Sequence, residues 1–288
     1  MTIREKGYHS WDGELKKTGI QWLPMFFNGI KTVFRKRFSK IVFAFSVMPF
    51  LVFLLATYVS TRPELNMMKR MVRMLDNEAQ FFNVFLTNGW MIFTLVVLGA
   101  YFGAELISGD IKFNSFPLYF SRPIDRKDYI FGKFSIVLFY FYLFSGAAAI
   151  LLYIFKIIFT GTLSIGFYTL LGLIVVPFLV AFYLASIVLL VSSISRNTRY
   201  VKITIFLIYF MSFPIARLLI NVFDSKYFYL VSIHWTIEQL GGFVFNTGAR
   251  YPYPGWLSLV VVIAVSLGAC LLLYRRIGKL EGQIESSN

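Results

Sequence analysis

Residues 165–192 read IGFYTLLGLIVVPFLVAFYLASIVLLVS, without a single Asp, Glu, Lys or Arg. A helix of about 20 mostly apolar residues crosses the hydrocarbon of a bilayer. This run exceeds that length, so it can span a membrane with some tilt. In lipid the backbone amides have no water to bond, and only a helix or a closed barrel satisfies them within itself. The run is therefore read as a membrane-spanning helix. Five more runs qualify on either side of it, at 41–60, 81–104, 134–155, 203–223 and 256–274. Among all six, only 203–223 carries an ionisable residue of these four types, Arg217.

Composition agrees. The chain has 288 residues, 58% of them hydrophobic and 15% charged, with 33 Phe. A soluble domain runs near half apolar and a quarter charged, and aromatics in excess suit lipid-facing surfaces and interfacial belts. The polar stretches between runs are too short to form a core of their own. The expected architecture is all-α: a cytoplasmic N-terminus with an interfacial amphipathic helix at 1–40, one six-span transmembrane domain over 41–274, and a cytoplasmic tail at 275–288. Residues 1–19 are polar and of mixed charge, with no apolar core of the kind a cleavable signal peptide has. A net charge of +14 would suggest nucleic acid in a soluble protein. Here the basic residues lie between apolar runs, as topology determinants and headgroup contacts do, so membrane lipids and no nucleic acid are expected as partners. The single cysteine, Cys270, excludes an internal disulfide.

Lys and Arg orient the spans. Twenty fall in 1–40, 105–133, 193–202 and the tail, against seven in the alternate loops. The positive-inside rule then places both termini in the cytoplasm. Residues 227–246 are apolar enough to challenge this count, but they include His234, Glu238, Gly241 and Gly242. They are read as an external interfacial or re-entrant helix hidden in protein. Two amphipathic helices flank the first run. In the first, Leu23, Phe26, Phe27, Ile30, Val33, Phe34 and Phe38 oppose Asn28, Lys31, Thr32, Arg35 and Lys36, the pattern of a helix lying in the headgroup plane. In the second, Met67, Met68, Met71, Val72 and Leu75 oppose Asn66, Lys69, Arg70, Arg73 and Asn77; it reads either as an outer cap or as a solvated loop helix.

Several chemistries lack their residues. The chain has no G-x-x-x-x-G-K-[ST] phosphate loop, no H-E-x-x-H and no G-x-S-x-G. The two histidines, His9 and His234, fall on opposite sides of the expected membrane, so no metal site and no catalytic residues are expected. A membrane-embedded enzyme needs clustered ionisable groups in its spans. Arg217 alone does not make a cluster, and it is read as snorkelling to headgroups or pairing with Asp224.

The loop at 105–133 reads ELISGDIKFNSFPLYFSRPIDRKDYIFGK. It is too apolar for a solvated loop and too charged for a span. A short helix under the membrane fits it, then a turn at Ser121, Arg122 and Pro123, with Asp125 placed to cap the next helix. This pattern resembles permease subunits of ATP-binding-cassette (ABC) transporters, the type-2 export permeases. The matching residues are Glu105 and Asp110, Pro117, Leu118 and Tyr119, then Ser121, Arg122, Pro123, Ile124, Asp125 and Arg126, and Gly132 with Lys133; Ser108 and Gly109 join them as candidate ATPase-coupling residues. The family's usual Gly-Thr in the coupling helix is Asn114 and Ser115 here. Residues 7–13, GYHSWDG, resemble the lead-in of one branch; 193–199 and 275–281 resemble its later cytoplasmic segments.

The resemblance implies a permease of the bacterial cytoplasmic membrane that pairs with a second copy, or with a related permease, and with a separate ABC ATPase. ATP and magnesium would be bound by that partner, with no cofactor in this chain. Residues 110–122 would seat in the ATPase and drive alternating access for export. The path would lie between two permeases along the second and fifth spans, where Asn83, Thr87, Asn88, Tyr101, Tyr209, Ser212 and Arg217 are path residues or helix–helix hydrogen-bonding glue. A non-transporting scaffold or sensor coupled to an ATPase, and a membrane-embedded enzyme, are the competing readings.

Overall fold

A change of backbone at Lys36 decides how the chain enters the membrane. A computed structural model describes residues 21–61, 77–120, 124–161 and 166–285. Helix α1 (Leu23–Arg35) has Pro24 in its first turn, where the missing N–H has no helical partner to lose. It stops at Lys36, whose extended backbone turns the chain into α2 (Arg37–Thr61). The second span is α3 (Glu78–Thr87), α4 (Gly89–Leu98), a π turn at Gly99–Gly103 and α5 (Ala104–Lys112). The loop holds a short α6 (Phe116–Phe120). The third span is α7 (Arg126–Tyr142), a π turn at Leu143–Ala147 and α8 (Ala148–Thr160). Then come α9 (Phe167–Ser192), α10 (Thr198–Phe223), a 3-10 turn at Lys226–Val231, α11 (Ile233–Val244) and α12 (Gly255–Glu285).

Six of these helical stretches are long and apolar enough to cross a bilayer: Phe38–Val59, Glu78–Lys112, Arg126–Thr160, Phe167–Ser192, Thr198–Phe223 and Gly255–Gly282. No strand occurs among the described residues. The protein is thus an all-α polytopic membrane protein. The second and third spans run well past the apolar runs 81–104 and 134–155, because the hydrogen-bond ladder continues into the polar loop. Helix α11 has 12 residues, roughly 18 Å at 1.5 Å per residue and far short of the ~30 Å hydrocarbon. It enters the bundle without crossing it, so the number of spans stays even.

Spans two and four form the centre. In their apolar windows 72% and 61% of residues are buried, against 17% in spans one and five. Glycine sets their spacing. A Cβ on Gly99 would stand 2.8 Å from Val188 Cγ2, and one on Gly103 2.4 Å from Val188 Cγ1. Small residues let two backbones approach in this way, and dispersion then holds them. The Ser192 hydroxyl seals the contact: it donates to the Ala104 carbonyl at 2.7 Å and accepts from the Ile107 and Ser108 amides, each at 3.2 Å.

The first amphipathic helix is only partly as its periodicity suggests. Met25, Phe26, Ile30 and Val33 pack into the core of the protein, with Gly132 making room for Met25 and Gly29 for Ile136. Phe27 and Phe34 remain exposed. Half of the apolar face expected to meet lipid therefore meets the third span. The GYHSWDG lead-in, the external amphipathic stretch from Asn66 to Leu75, and Ser121, Arg122 and Pro123 lie outside the described residues.

Candidate functional site: the elbow between spans two and three

Helix α5 ends in a Schellman motif. Asn114 has φ 49°, the left-handed region. The Ser115 amide donates to the Asp110 carbonyl at 2.9 Å, and the Asn114 amide to Ile111 at 3.4 Å. Glycine is the usual residue at that position and asparagine the common substitute, because its short polar side chain tolerates positive φ. The departure at Asn114 from the family's glycine thus has a conformational reason. Past the turn, Phe116 buries its ring, while Phe113 and Leu118 stand 74% and 72% exposed at the tip beside Lys112 and Asn114. Pro117 and Tyr119 are half-buried.

Behind the tip lies a charged pair. Asp110 Oδ2 is 2.6 Å from Lys133 Nζ and accepts from the Tyr129 hydroxyl at 2.6 Å. Lys133 also lies 5.3 Å from the Tyr119 ring centre and 5.4 Å from that of Tyr129. Only 15% of the Asp110 side chain and 7% of Lys133 are exposed. A charge in such a site needs both a partner and hydrogen bonds, and each group here has them. The Gly132-Lys133 pair in the sequence now has two roles: Gly132 admits α1, and Lys133 neutralises Asp110.

Further contacts brace the elbow. Glu105 pairs with Lys36 between α1 and α2, and with Lys202 of α10 at 3.6 Å. The Ser108 hydroxyl donates to Ala104 at 2.6 Å and lies 3.0 Å from Thr198 Oγ1. Arg126 pairs with Glu281 of α12. Arg276 donates to the carbonyls of Ser193 at 2.6 Å and Ile194 at 3.0 Å, which end α9. Asp125 occupies the N-cap position of α7, as expected, but its side chain makes no capping hydrogen bond. Gly109 faces open space.

The seven polar span residues are mostly tied into the bundle. Asn83 donates to Thr247 at 2.9 Å and Thr87 to the Asn83 carbonyl at 2.8 Å. Asn88 breaks the second span and heals the break with its amide: it donates to the Val84 and Phe85 carbonyls at 2.9 and 2.7 Å and accepts from the Met91 amide at 2.9 Å. Tyr101 lies under Lys202, 5.2 Å from ring centre to Nζ. Ser212 donates to Tyr209 and accepts from the Ile233 amide, anchoring α11. Tyr209 is half-buried. Arg217 is exposed and stacks on Phe213 at 5.8 Å. It makes no ion pair among the described residues, so the pairing with Asp224 is absent. Asp224 instead ends α10 in the left-handed region, φ 46°.

One cluster escaped the sequence reading. Buried Glu238 on α11 pairs with Arg250 at 2.7 Å, accepts from the Tyr251 hydroxyl and lies 3.5 Å from His234 Nε2. Burial lowers the His234 pKa despite Glu238, favouring the neutral ring. Burial and the bond to Glu238 push the Tyr251 phenol up, and burial takes Tyr253 to about 12. Gln239 fastens the following loop through Tyr253, Arg250 and Tyr251. The spacing of His234 and Glu238, four apart on one helix face, was the available signal.

Six apolar helices, two of them forming the centre, with a polar elbow between the second and third, define an integral membrane protein. The family model described as "ABC-2 family transporter protein" matches residues 30–278. The chain belongs to that family, and it is a membrane permease of an ABC transporter. No curated protein matches it significantly.

Proposed function

We propose that this chain is the export permease of an ABC transporter in the bacterial cytoplasmic membrane, with both termini inside. A separate ATPase subunit, which holds ATP and magnesium, docks on the elbow. The observation that carries this reading is the tip: exposed Phe113 and Leu118 beside exposed Lys112 and Asn114, on an elbow whose base is locked by Asp110, Lys133 and Glu105. Exposed apolar side chains outside the lipid mark an interaction site. A stiff connection lets a displacement of the tip reach spans two and three instead of being absorbed by the loop. Asp110 lies too deep to be the contact itself, so it acts as a positioning residue. The sparsely buried faces of spans one and five suit a second permease copy, with the cargo moving between copies by alternating access. Net basic loops on the elbow side support the orientation.

The test is co-expression with an ABC ATPase subunit from the same genome. A two-to-two complex whose ATP turnover needs this chain, and measured cargo flux across a vesicle, support the reading. The double change Phe113→Asp and Leu118→Asp is expected to abolish co-purification while leaving the melting temperature of the chain alone unchanged. A chain that purifies without any ATPase, or a complex indifferent to both substitutions, overturns it.

A further inference from the structure

We propose that a groove between α1 and the third span holds one acyl chain of an anionic phospholipid, drawn from the leaflet on the elbow side of the membrane. A cavity of about 460 Å³ lies there, lined by Trp22 at the N-cap of α1 and Phe26 within it, Ser135, Tyr142 and Ala147 from the third span, and Phe178 from α9. That volume falls in the ligand-pocket range of about 300–1,000 Å³. Its lining is apolar. Two hydroxyls line it, those of Ser135 and Tyr142 on α7, and that of Ser135 donates to the Phe131 carbonyl of its own helix at 2.7 Å. From Ser135 to Ala147 the groove runs roughly 18 Å at 1.5 Å per residue. One leaflet of hydrocarbon is about 15 Å, half of the ~30 Å total. The groove therefore has the length of one chain.

The headgroup end is marked as well. Lys127, Phe131 and Ser135 are spaced four apart and share one face of α7. Phe131 meets Trp22 edge-on at 4.8 Å, and tryptophan is the residue favoured at the membrane–water boundary. Lys127, one turn nearer the polar side, is exposed and makes no ion pair among the described residues. A lysine near the surface attracts anionic lipid. The order along the face is thus cation, aromatic boundary, apolar groove, which is the order of a phospholipid. The far end of the groove lies against the π turn of the third span at Leu143–Ala147. The proposal needs the chain to be a membrane protein and is independent of ATPase docking.

The full-length chain is to be reconstituted in nanodiscs of mixed phosphatidylglycerol and phosphatidylcholine, transferred to detergent and weighed by native mass spectrometry during stepwise delipidation. One phosphatidylglycerol per chain is expected to persist after the rest are lost. Ser135→Trp fills the groove and Lys127→Glu inverts its charge; each is expected to cut that retention several-fold. Ala147→Leu narrows the far end and serves where Ser135→Trp fails to fold. Unchanged retention in the groove-filling variants overturns the site. Equal retention of phosphatidylcholine overturns the anionic assignment. Cross-linking between chains through Ser135→Cys, with Cys270→Ala, overturns it in favour of a second copy.

Discussion

Asp110 and Lys133 show how one position can look like a surface motif and act from inside. Breaking a buried pair by removing one member leaves the other charge uncompensated, at about 3–5 kcal/mol. Asp110→Ala is therefore expected to lower stability by that order, read as a large fall in melting temperature in detergent. Replacing both partners with apolar residues of similar bulk is often neutral, so Asp110→Leu with Lys133→Met is expected to recover most of the loss. If the double variant then folds but no longer couples to ATP hydrolysis, the pair's role is to position the elbow. The motif residues were legible in the sequence. That Asp110 and Lys133 hold each other was not, because the pairing depends on where two helices cross.

At the scale of elements, hydrophobic run length identified every span, and the polar content of 227–246 kept α11 from being counted as one. The internal breaks were invisible. Asn88 reads as one polar residue in an apolar run, yet its side chain ends one helix and starts the next. The packing after the π turn at Gly99–Gly103 depends on Ser192, whose hydroxyl reaches Ala104 across 88 residues of sequence. Gly103 and Val188 supply the prediction at this scale. Overpacking a tight contact costs about 1–3 kcal/mol. Gly103→Ala is expected to destabilise by that amount, and Val188→Ala in the same chain is expected to restore more than half of it. A thermal-unfolding double-mutant cycle measures the coupling; additive effects would show that the two helices adjust their spacing freely.

For the whole molecule, the uneven burial of the spans is the useful fact. Spans two and four are enclosed, while α10 leaves Leu207, Phe210 and Leu218 exposed. In a membrane such a face meets either lipid or protein. Pairing of two copies along α10 predicts that Phe210→Cys, in a Cys270→Ala background, forms an intermolecular cross-link in membranes. Ile154→Cys on the third span, where the residue is 46% exposed against 51% for Phe210, serves as the control and is expected to stay uncross-linked. Cross-linking from both positions alike would mean random collision and no specific pairing.

Run length, charge placement and the loop at 105–133 by themselves determined an all-α six-span protein and pointed to its family, since crossing a bilayer demands contiguous apolar residues that no folding partner can supply from elsewhere. Tertiary structure alone decided which polar residues face inward. Asn83, Ser212 and Asp110 all have partners brought near by packing, and the energy of leaving a polar group unpaired in a buried site makes that choice binding. The same packing left Phe113 and Leu118 outside, where a partner can reach them.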